Sequence, residues 1–194
     1  NIGKHMVLQH SEKKQDHWAT TTPNTAAHDQ PFGTPYSLKQ HQHLLRLPDR
    51  AEHLHKITSG WAGRYRLLSD GRRQITALYL PGDICDLSWL KNGQSSQSVV
   101  ALTSVETMRI PRAELEEQMR RDARALSMLW QQSARAHQIE AEWLVNLGRK
   151  NALERLSHLL CELHCRLSQA NAADDASCEM PLTQQDLADV AGLT

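Results

Sequence analysis

The sequence offers little to a catalyst. It holds no glycine-rich phosphate loop, no nucleophile beside a general base and no triad of metal ligands, so an enzyme is not expected. Charge of one sign is also missing: 22 Lys and Arg stand against 22 Asp and Glu, a formal net charge of zero. Such a balance advertises no polyanion partner over the chain as a whole. No apolar run approaches the ~18 residues of a membrane span, and no secretory hydrophobic region follows Met6. A soluble, cytoplasmic chain without membrane contact is therefore expected. The four cysteines, Cys85, Cys161, Cys165 and Cys178, include no CxxC pair, and packing rather than metal binding is expected of them. His41 with His43, and His53 with His55, could each grip a metal from one face of a strand. No carboxylate or cysteine stands at a fitting spacing, so no metal site is expected. No internal repeat is visible.

What remains divides into segments. Asn1 to His5 read as a cloning remnant before a natural start at Met6. Residues 1–34 are polar, rich in Thr, His, Gln and Asn, and are expected to be a disordered arm. Over 35–111 the punctuation changes. "HLHKITSGWAGRYRLL" alternates and runs into "SDGRRQITALYL", so Ser69-Asp70-Gly71 should be a tight turn between two strands. The alternation places Arg64, Arg66, Arg72 and Arg73 toward solvent. Pro81-Gly82-Asp83 makes another turn, and "SVVALTSVETMRIP" supplies two more strands. Short strands at this spacing predict a small antiparallel barrel or sandwich.

From Pro111 only helix fits, which makes the fold class α+β. "RAELEEQMRR" reads as a short helix, and the run from Ala123 to Gly148 is a long one without a breaker; both fall within 112–148. Along the long helix Leu126, Leu129, Ser133, Ala136, Glu140, Trp143 and Leu147 recur at a 3-4 spacing. A small barrel should not cover so long a stripe, so it is expected to be a dimer seam. The next helix, opening 149–194, carries Leu153, Leu156, Leu160, Leu163 and Leu167, a stripe expected to pack on the chain's own barrel. At the end, Thr183 to Asp186 form a capping-box-like start, Leu187, Val190 and Ala191 give an apolar side, and Gly192 breaks the helix. With Thr194 as an N-cap for another helix, this reads as the first half of a helix-turn-helix.

Barrel, long helix, shorter helix and helix-turn-helix, in that order, resemble the Crp-Fnr superfamily of bacterial transcription regulators. The resemblance rests on "SGWAGRYRLLSDGRRQITALYLPGDICDL" for a cyclic-nucleotide-binding-like β-roll and "EWLVNLGRKNALERLSHLLCEL" for the dimerisation helix and its successor. "MPLTQQDLADVAGLT" is similar to the start of the winged helix-turn-helix. Gly60, Gly63, Gly71 and Gly82 stand where the roll should need left-handed turns.

The resemblance implies a homodimer that binds DNA when intact and addresses RNA polymerase, with Thr183, Gln185 and Thr194 against phosphates. The base-reading helix and wing would follow Thr194, so either truncation or disorder is expected beyond that residue. A module that acts only through protein contacts is the alternative. The resemblance also places an effector pocket around Gly82, Cys85, Asp86, Leu87, Gln97 and Ser98. Where cyclic-nucleotide binders resemble Gly-Glu-Leu and then Arg-Ser, this chain has Cys85-Asp86-Leu87 and Gln97-Ser98. Gln97 cannot offer a phosphate the charge or fork of arginine, and Trp89 would fill purine space. Cyclic AMP is therefore not expected as effector. An iron-sulfur cluster is not expected either, because no cysteine precedes Cys85. For haem, His53, His55 and Cys85 are candidates by type only. Cys85 could be a redox switch if exposed, or a small buried residue. The effector stays unidentified, with an effector-free roll as one option.

Overall fold

A computed structural model describes residues 33–47, 49–50, 52–85, 87, 97–169 and 180–193. The expected arm lies outside them except for Gly33 and Thr34, and so do Asp86, Trp89, Cys178 and Thr194. Eight strands come first among the described residues: β1 (Thr34–Leu38), β2 (His43–Leu45), β3 (His53–Ser59), β4 (Ala62–Leu67), β5 (Arg73–Tyr79), β6 (Ile84–Cys85), β7 (Ser98–Ala101) and β8 (Val105–Pro111). They form two antiparallel sheets, in the orders β1-β8-β3-β6 and β2-β7-β4-β5. Four helices follow: α1 (Arg112–Arg121), α2 (Ala123–Arg149), α3 (Ala152–Gln169) and α4 (Gln184–Ala191). The class is α+β, as expected. None of these helices is long and apolar enough to cross a membrane.

The turns form where the punctuation places them. Leu68 donates its backbone N–H to Arg72 across the β4–β5 turn at 2.8 Å, and Gly71 supplies the left-handed φ of 85° there. Gly63 departs from the expectation, since it sits inside β4 and adopts no left-handed φ. A Cβ there would lie 3.1 Å from Leu102 Cδ1, a tight contact that Leu102 would have to yield to.

Among the described residues, three cores hold the elements together. Leu38, Ile57, Tyr79, Val99 and Val105, drawn from both sheets, bury one another between them. On the outer side of the second sheet, Leu159, Leu163 and Leu167 of α3 and Val190 of α4 cover Trp61, Ile75 and Leu102. On the first sheet, Leu115 of α1 and Leu129 of α2 cover Leu54 and Ile110. Covering both faces removes the link between strand alternation and solvent, and all four residues of β7 are buried. The α3 stripe packs on the barrel, but through Leu159 rather than the expected Leu153 and Leu160, which are 75% and 45% exposed. Both registers suit a helix; the facing sheet selects one.

Candidate functional sites

Of the expected effector cassette, the structure describes Gly82, Cys85, Leu87, Gln97 and Ser98. Gly82 makes a left-handed turn with φ 95°. Cys85 is buried at 5% exposure and pairs in register with His55 of β3, so it lacks the exposure a redox switch needs. Leu87 packs partly buried against the α1–α2 core. The Ser98 hydroxyl, also buried, accepts the Leu47 N–H at 3.1 Å. Gln97 accepts from the Thr76 hydroxyl. Asp86 is not among the described residues.

Arg64 corrects the expectation of a solvent-facing arginine. Its side chain is 14% exposed and reaches Glu140 of α2, while Nε donates to the Thr76 hydroxyl at 3.2 Å. The neighbouring strand β5 bulges beside it. The β4–β5 register runs Arg64↔Ala77 and then Tyr65↔Ile75, leaving Thr76 as an extra residue. That extra residue exchanges the faces of the β5 residues beyond it, Arg73 among them. Arg64, Thr76, Gln97 and Glu140 thus form a polar link between the roll and the long helix.

One histidine of each pair is also engaged. His43 Nε2 lies 2.8 Å from the Tyr65 hydroxyl, and His55 Nδ1 lies 3.1 Å from Thr107 Oγ1. Burial, with His53 and Arg109 nearby, lowers the His55 pKa to about 4. No group of three or more His, Cys, Asp or Glu is placed to hold a metal among the described residues.

The expected seam on α2 divides into two. Leu129 is buried against Leu54 and Ile110, Glu140 meets Arg64, and the Trp143 indole donates to Glu162 of α3 at 2.7 Å. Leu147 is half-buried, 3.1 Å from where a Cβ on Gly192 would sit. These four face the chain's own body. Leu126, Ser133 and Ala136 are exposed. The uncovered side is instead centred on Trp130, His137 and Leu144, seven residues apart, with Ser127, Ala134 and Ala141 beside them. Trp130 and Leu144 are 75% and 76% exposed.

At the chain's end the capping box forms. The Thr183 hydroxyl accepts from the Asp186 N–H at 3.1 Å, and Asp186 accepts from the Thr183 N–H at 3.1 Å. Gly192 closes α4 in the left-handed conformation, φ 63°. Thr183, Gln184 and Gln185 are exposed at the helix start, and Gln185 also donates to Asp189 at 2.7 Å. Sequence reasoning missed what holds this helix: Arg73, Gln74 and Arg155. One signal was available. Asp186 and Asp189 stand one turn apart beside an apolar stripe, and half-buried carboxylates require cations.

Comparison with known proteins places the chain. Residues 35–122 match the cyclic nucleotide-binding domain family. The nitrogen fixation regulation protein FixK of Azorhizobium caulinodans is 32% identical over 163 residues, covering 84% of this chain and 65% of that protein. The transcriptional activator protein FnrL of Cereibacter sphaeroides is 27% identical over 151 residues, covering 75% and 59%. The structure of FixK2 from Bradyrhizobium japonicum superposes with a TM-score of 0.73 at 28% identity, covering 83% of this chain and 78% of that one. The chain spans just under two thirds of the length of the curated FixK relatives, 65% and 63%.

Proposed function

We propose that the chain is a member of the Crp-Fnr superfamily, as its relatives support, and that it acts as a homodimeric, sequence-specific DNA-binding transcription regulator in the cytoplasm. The observation that carries this reading is α4. A capped helix, closed by a left-handed glycine and offering an exposed N-terminus, follows a roll and a long helix. Phosphate oxygens suit such an N-terminus, and the next helix would read bases. RNA polymerase is the further partner such a regulator addresses. The domain limits at 34, 111 and 148 stay part of this proposal.

The dimer forms through the bare face of α2. Trp130 and Leu144 supply the apolar area, and Ser127, Ala134 and Ala141 let two helices approach closely around a two-fold axis. Cyclic AMP is not the effector. Gln97 carries no charge, and the Arg64 guanidinium that stands near it is already met by Glu140. Calorimetry with cyclic AMP should show no binding tighter than about 10 μM; a tighter constant contradicts this part. Sedimentation at micromolar concentration tests the dimer. A dimer that Leu144→Arg converts to a folded monomer is expected, and a monomeric parent chain would remove the reading.

A further inference from the structure

Two stretches that lie far apart in the sequence, "DGRRQ" and "TQQDLADVAGL", meet in the fold. Arg73 Nε donates to Asp189 Oδ2 at 2.6 Å and its Nη2 to Asp186 Oδ1 at 2.7 Å. All three side chains are largely buried, with 23%, 7% and 10% exposure. Next along the strand, Gln74 Nε2 donates to the carbonyls of Asp189 at 2.8 Å and Val190 at 3.2 Å. From α3, Arg155 Nη1 reaches the Ala191 carbonyl at 3.2 Å, while its Nη2 holds the Leu147 carbonyl of α2 at 2.9 Å. Beneath these bonds Val190 packs into the core with Ile75 and Leu78.

Each contact answers a physical need of α4. Burial disfavours the Asp186 carboxylate, and the Thr183 hydrogen bonds and Arg73 outweigh it, holding its pKa below the usual range. A planar guanidinium can serve two carboxylates one turn apart; a lysine ammonium lacks that fork. The last carbonyls of a helix have no partner within it, and here Gln74 and Arg155 supply donors. Those carbonyls immediately precede Gly192, where the chain turns toward whatever follows. β5 is the edge strand of its sheet, so neighbouring residues can both reach a helix laid along that edge.

We propose that Arg73 and Gln74 are positioning residues for DNA reading: the roll's edge strand clamps the first helix of the reader and so sets the direction of the helix after Gly192. This rests on the reading of α4 as the start of a helix-turn-helix. The clamp touches no DNA itself. Its loss should lower sequence-specific affinity and leave non-specific phosphate binding in place, since phosphate contacts carry no sequence information.

The test uses two forms of the protein, this 194-residue chain and a chain extended past Thr194 to the length of its relatives. Arg73→Gln is compared with Arg72→Gln, because Arg72 is 60% exposed and pairs with Asp70 on the turn. In the extended chain Arg73→Gln should weaken binding to the selected duplex by about tenfold or more. Binding to a random duplex should stay within about twofold, with an unchanged salt slope. Amides of α4 should exchange faster in Arg73→Gln of both forms and not in Arg72→Gln. Equal losses on both duplexes, or in both variants, would overturn the clamp, as would unchanged specific affinity. Should Arg73→Gln not fold, Gln74→Ala and Asp189→Asn must give the same selective loss. If the unsubstituted extended chain shows no sequence preference, the proposed function fails. Exchange in the 194-residue chain then still decides the clamp: unprotected α4 amides in the parent overturn it.

Discussion

The last helix and the longest one are fastened to the roll in opposite ways. α4 has 8 residues, and four of them, Asp186, Asp189, Val190 and Ala191, are buried. α2 has 27 residues and buries only Leu129 and Asn146. Length therefore does not measure attachment. A short helix alone is marginal in water and persists where tertiary contacts hold it, which the Arg73 and Gln74 bonds do. The long helix meets its own chain at a few points and leaves Trp130 and Leu144 uncovered. Exposed apolar area of that kind marks a surface built for a partner. One helix is completed within the chain; in the proposed dimer a second copy would complete the other.

The sharpest way to break this comparison is to place the same charge on the two sides of α2. Leu129→Arg buries an unpaired cation against Leu54 and Ile110 and should cost about 3–5 kcal/mol of folding stability in denaturant titration. Leu144→Arg, on the bare side, should leave the fold intact and weaken self-association by about two orders of magnitude. Equal effects on folding would erase the distinction between the faces.

Acid separates the roll from the clamp. His55 titrates at about 4 in the fold, against about 6.5 in an unfolded chain. The unfolded state thus binds the proton first, and stability present above pH 6.5 declines as pH falls toward 4. The full loss is about 3 kcal/mol, and His55→Gln should flatten that part of the profile. Asp186 acts in a lower window, because its contribution holds above the ordinary carboxylate pKa and fades as pH falls through its lowered value. Protection of α4 amides should therefore outlast the His55 decline. Loss of both in one window would contradict the assignment.

The smallest effect belongs to the polar link between roll and long helix. Glu140 is 41% exposed in its pair with Arg64, and Glu140→Gln should cost about 1 kcal/mol or less. The calorimetric response to cyclic AMP should stay null. A variant that gains cyclic AMP binding would show that Glu140 occupies a live effector site.

Much of this was legible in the chain. The β4–β5 turn, the break at Asp122 between α1 and α2, and the α4 capping box all rest on local chemistry, which needs no knowledge of the fold. β1 and β2 were not separately readable: "TPYSL" is mostly exposed and "HLL" is too short for a period. The faces of the arginines failed for another reason. One extra residue at Thr76 reverses alternation along β5, which carries Arg73, and helices cover the side that would otherwise be wet. The division of the α2 stripe also depends on the surface opposite each side chain, which periodicity does not contain.

The account stands most directly on what the extended chain does with DNA. Selection from a pool of random duplexes, followed by native mass spectrometry of the bound complex, should return a two-fold-symmetric site carrying two protomers. No enriched sequence, or a single protomer on an asymmetric site, would contradict it.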